Sequence, residues 1–145
     1  MRKLILAAIT VLVLAAATPA LAQLAGNWDG VGTGTCTPPS PPFPPAVLQP
    51  WSSWTGVIPP TEDSFTGTWT DGAHNGRFYH TSITIISSDI AIIDGKWTWR
   101  ITPTKEATMG TFHIIFYCHN RVCSGSWASP HPTVPPRTIQ GDALP

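Results

Sequence analysis

A five-residue phrase recurs four times along the chain: an apolar residue, any residue, Gly, any residue, Trp. It reads LAGNW at 24–28, FTGTW at 65–69, IDGKW at 93–97 and CSGSW at 123–127. The apolar residue, the Gly and the Trp fall on alternate positions, so an extended chain carries all three on one face. Gly weakens a strand unless a neighbouring group uses the vacant space. A ring lying over the bare backbone would use it, and the sheet could bend there. The phrase therefore marks strands with one dry, aromatic face.

Its spacing sets the architecture. Gly67 and Gly95 are 28 residues apart and Gly95 and Gly125 are 30 apart. Such an interval holds two strands of about 8 to 10 residues with their turns. Each interval does contain one further β-rich segment. The expected strands are 24–33, 51–58, 64–70, 77–86, 89–102, 110–118, 123–128 and 137–144. The marked ones are first, third, fifth and seventh, so in a meander they all run the same way. Asp-Gly and Asn-Gly within 70–76 are hairpin signals. The expected fold is all-β, an eight-stranded antiparallel up-and-down barrel. A β-sandwich of the same strands is the alternative.

The start of the chain reads as an address. Arg2 and Lys3 precede an apolar run, and Ala20 and Ala22 are the small residues just ahead of a cleavage site before Gln23. Residues 1–22 are expected to be a signal peptide, leaving 23–145 as one domain, secreted or periplasmic. Without Arg2 and Lys3, six basic residues face eight acidic ones. No basic run exists, which argues against nucleic acid. No later stretch is apolar enough to span a bilayer, so no membrane association is expected after cleavage.

Three cysteines enter an oxidising compartment. A four-residue loop separates Cys118 from Cys123 and would set them opposite each other, so a disulfide is expected between them. Phe116 would then face Gly125, and Ile114 would face Trp127. Cys36 falls at the other end of the barrel and should stay free or bond another molecule.

That other end carries the long loops, among them 34–50 and 129–136, both rich in proline. Stiff loops can rim a mouth at low ordering cost. Either a pocket opens there or tryptophan fills the interior. Trp69, Trp97, Trp99 and His80 are the expected ligand-binding residues. If Trp69 pairs with Phe78, His80 faces Gly67 on the inner side; a bulge would turn it out. Ile83 and Ile85 would then form an outer apolar strip, a seam for a homodimer. The histidines form no metal set, no cofactor motif is present, and neither a nucleophile elbow nor a catalytic trio is visible. No catalytic residue and no enzymatic activity are expected.

With LAGNW on the first strand and the later Gly-x-Trp strands, the chain resembles the calycin barrels. That superfamily includes lipocalins, avidins and bacterial periplasmic protease inhibitors. The resemblance implies a closed end where Trp28, two residues after Gly26, packs near an arginine from the last strand, which here would be Arg137. It implies an exported, non-enzymatic barrel binding a small apolar or aromatic ligand at the long-loop end. The alternatives are an inhibitor-like module acting on a protein partner, and a carbohydrate binder using exposed indoles.

Overall fold

The computed structural model describes residues 23–145; the expected signal peptide lies outside them. The elements are β1 (Gly26–Gly32), β2 (Thr35–Cys36), β3 (Ser53–Ile58), β4 (Thr66–Thr70) and β5 (Asn75–Ile85), followed by β6 (Ile90–Thr102), β7 (Lys105–Tyr117), β8 (Val122–Ala128), β9 (Thr133–Val134) and β10 (Thr138–Ala143). Eight of them close a barrel in the order β1, β10, β8, β7, β6, β5, β4, β3, and β3 pairs back to β1. All pairings are antiparallel; the barrel strands follow one another in chain order and β1 closes onto β10, while the short β2 and β9 form a separate two-stranded ribbon. This is the up-and-down barrel; the sandwich alternative falls away.

The phrase strands β1, β4, β6 and β8 point their tryptophans inward, and Trp28, Trp69, Trp97 and Trp127 are all buried. The glycines are seats, as alternation requires. A Cβ on Gly67 would meet the Phe78 ring at 2.3 Å, and one on Gly95 would meet Phe112 at 2.3 Å. The indoles themselves reach further. Trp69 lies over Gly76 of the neighbouring strand and donates its N–H to the Thr98 carbonyl, one strand beyond, at 2.8 Å. Trp97 lies over Gly110 and donates to the Ala128 carbonyl at 3.0 Å. Each such ring spans one strand and is satisfied by the next, so burial of the polar N–H carries no desolvation penalty.

Two hairpin registers differ from the expected ones by two residues. Thr70 pairs with Asn75, so Gly67 rather than Trp69 faces Phe78. Tyr117 pairs with Val122, so Phe116 faces Cys123, and Ile114 faces Gly125. A two-residue slip leaves every side chain on its face. It does overturn the disulfide. Cys118 drops into the turn, diagonal to Cys123, and both thiols are free. Diagonal ladder neighbours sit about 7–8 Å apart, whereas bridged cysteines need Cα atoms within roughly 6.8 Å.

A bulge between His80 and Ser82 corrects the outer strip. The extra residue, Thr81, flips the following face, so Ile83 pairs with buried Ile93 and packs against the core. Ile83 and Ile85 therefore follow the inner side, not the outer one.

The two ends are closed differently. At the short-loop end the Arg121 guanidinium lies 5.3 Å from the Trp28 ring centroid. It also donates to the Gln23 and Ala25 carbonyls, while Glu62 accepts from the Leu24 and Ala25 N–H groups. The arginine over Trp28 thus comes from the β7–β8 turn. Arg137 sits at the long-loop end, bonded to Thr133.

Candidate functional site

The expected site residues do not form one group. Trp69 and Trp97 meet edge to face at 6.0 Å inside the barrel. Trp99 is buried at the long-loop end, 6.1 Å from Phe43 and 6.0 Å from His74. His80 stands on the wall near the opposite end of β4. Its N–H donates to the Phe65 carbonyl at 2.9 Å, and its Nδ1 accepts from the Phe65 N–H at 3.3 Å. The imidazole thereby continues the β4–β5 ladder where ordinary pairing stops.

Rings fill the barrel. Six tryptophans, Phe65, Phe78 and Phe116 are fully buried. At the centre Trp51 stacks on Phe78 at 4.6 Å and meets Trp54 and Phe112 edge-on. Trp51 comes from the loop ahead of β3, not from a strand. It takes a left-handed backbone, φ 68°, and among the described residues its buried indole N–H finds no partner. Both features are costly for a bulky residue; the ring's contacts hold it in place.

The loop of 33–52 folds over the long-loop end. Cys36 and Leu48 exchange backbone bonds at 2.8 Å in both directions, and Thr37 donates to the Pro132 carbonyl at 2.9 Å. With the β2–β9 ribbon, these bonds join the two proline-rich loops. Asp71 secures the loop from below, accepting from the Gln49, Ala73 and His74 N–H groups and from the His74 ring. Burial would raise its carboxyl pKa, but these hydrogen bonds outweigh that and hold it below the usual range. Cys36 lies beneath, at the long-loop end as expected, with a free thiol and Ser129 at 3.5 Å. Burial keeps its thiol protonated above the ordinary range, against a smaller opposing effect from Ser129.

Outside this lid the two loops leave a cleft of about 660 Å³. It is lined by Thr37, Pro38, Pro39, Pro45, Val47 and Pro132, with Ser40 and Ala46 completing it. No lining side chain carries a charge. Val47 stays 55% exposed and Val134, on the neighbouring ribbon, 61%. The proline pattern pointed to this end of the molecule; the residues facing the cleft were not legible, because they depend on how the two loops join.

A second arrangement was invisible in sequence. Asp94, His113 and Ser126 occupy one row across β6, β7 and β8 on the outer surface. His113 Nδ1 meets Asp94 Oδ1 at 2.7 Å, both side chains about half exposed. No hydrogen bond links Ser126 to the imidazole among the described residues, and the ladder consumes the nearby backbone N–H groups. The row thus shows a His–Asp pair beside a serine without the Ser–His hydrogen bond of an assembled triad among the described residues.

No protein-family model, curated protein or solved structure matches the chain.

Proposed function

We propose that this chain is an exported, non-enzymatic, calycin-like barrel that binds a small apolar or aromatic ligand at its long-loop end. The reading moves the ligand from the barrel interior to the proline-lined cleft above it. The supporting observation is that cleft: open, uncharged, and walled by loops that backbone bonds already fix. A preformed apolar wall gains from water release without a large ordering cost. Proline rings also offer flat faces to an aromatic ligand. An arginine does cover Trp28 at the closed end, but it is Arg121 of the β7–β8 turn and not the last-strand arginine of the calycin pattern.

Trp99 packs on this loop through Phe43, so its emission should report binding. Titration with small hydrophobic and aromatic compounds should change tryptophan fluorescence and shift the NMR signals of Ala46 and Val47. Val47→Asp should weaken binding about tenfold, close to 1.4 kcal/mol, with the fold intact. A panel that leaves these signals unmoved would remove the proposal.

A protein partner, as for an inhibitor-like module, is the second reading, favoured by exposed Val47 and Val134 beside the same cleft. Deleting 34–50 is a poor test, since Leu48 and Cys36 belong to the core. Pull-down with a Val47→Asp, Val134→Asp variant separates the two readings: lost capture of a protein with unchanged small-molecule response favours the partner. The carbohydrate reading needed exposed indoles, and Trp97 and Trp99 are buried.

A further inference from the structure

The barrel wall is uneven. β4 pairs with β5 through Tyr79, and the His80–Phe65 bond ends that seam. Beyond it, β5 runs on for Thr81 to Ile85 with β6 on one side only. Hydrogen-bond parity tells which main-chain groups face the free side. Ile86 donates to the Ile90 carbonyl at 2.9 Å, so Ile86, Thr84 and Ser82 direct their backbone toward β6. Ile83 and Ile85 consequently present their N–H and C=O groups to the open edge. No described residue bonds to them there.

The composition of this edge is unguarded. Residues 81–87 read TSITIIS, without a charge or a proline. Charges and prolines are the usual means of blocking an exposed strand. Ile85 is 46% exposed and Ile86 58%.

We infer that this edge pairs with the same edge of a second copy, forming an antiparallel homodimer about a twofold axis at Thr84. The register is dictated by which groups are free. Ile83 of one chain opposes Ile85 of the other, and the reverse, so each residue's edge-facing N–H and C=O groups are both paired. Thr84 opposes Thr84, a position whose backbone groups already point inward to β6. The isoleucines then gather on one face. An uncharged segment meets its own copy without like-charge repulsion, which a lysine-bearing edge would suffer. The contact is short, so the dimer should be a reversible one that forms at high concentration.

Sedimentation velocity of the chain beginning at Gln23, over a wide concentration range, is the test. The expected result is a monomer–dimer equilibrium, with hydrogen exchange at the Ile83 and Ile85 amides slowed at least tenfold as the dimer fills. Ile85→Pro removes an N–H that makes no internal ladder bond, and should weaken association at least tenfold. Ile85→Lys adds a charge to the edge without constraining the backbone and should act likewise, which guards against a proline that perturbs folding. Circular dichroism verifies the barrel in each variant. A monomer at every concentration, or a dimer indifferent to both folded variants, would overturn the inference.

Discussion

Burial among rings pushes the Cys123 thiol up to about 12 from an ordinary 9.0, with the Asp142 carboxylate adding to the effect. The folded state then keeps a proton that the unfolded chain releases above pH 9.0. Stability fully present below that pH is lost as pH rises toward 12, by as much as about 1.4 kcal/mol per unit. Cys36 and Cys118 shift in the same direction, burial being the main cause in both. Urea unfolding at pH 8 and at pH 10.5 should show this loss, and Cys123→Ala should lose less between the two. Equal losses would mean that Cys123 is not the buried thiol described here. Trp51 makes the complementary point at this scale. Nothing in its neighbours in sequence marks it as a core residue with a left-handed backbone; only the space above Phe78 does.

At the level of strands, glycine and tryptophan work as a pair drawn from different elements. The bare backbone of one strand admits a ring from the next, and an indole crosses the neighbouring strand's glycine to reach a carbonyl on the third. A methyl on Gly95 would lie 2.2 Å from the Tyr79 carbonyl oxygen and 2.3 Å from the Phe112 ring. Gly95→Ala should therefore destabilise by about 1–3 kcal/mol or more, read as a lowered urea midpoint with an unchanged slope. A variant as stable as the parent would contradict the seat. The same elements show how far periodicity carries. Alternation put Phe78 and Phe116 on the inner face correctly, yet it could not distinguish registers two residues apart, since both bury the same side chains. The disulfide between Cys118 and Cys123 was lost to that ambiguity. The bulge at Thr81 was likewise unreadable, because a one-residue insertion leaves no mark when the residues on both sides are β-formers.

On the scale of the whole barrel, closure depends on contacts far apart in sequence. Arg121 joins the β7–β8 turn to the N-terminal segment and covers Trp28. Arg121→Ala removes a cation–π contact and two hydrogen bonds to carbonyls, and should cost about 1–3 kcal/mol by urea unfolding, with faster amide exchange at Leu24 and Ala25. Unchanged exchange there would show that Glu62 alone holds the segment. The proline-lined cleft and the free edge belong to this scale too, since each lies between segments that meet only in the closed molecule. The repeated phrase determined the number of barrel strands, the direction of the marked strands, the face their own residues take and the end bearing the long loops. Those follow from a two-residue period and from turn chemistry, which are local. The register of each hairpin, the ring that fills the centre, the arginine that seals the end and the residues facing the cleft were decided only by tertiary packing, because several local solutions bury the same apolar atoms and only the closed barrel discriminates among them.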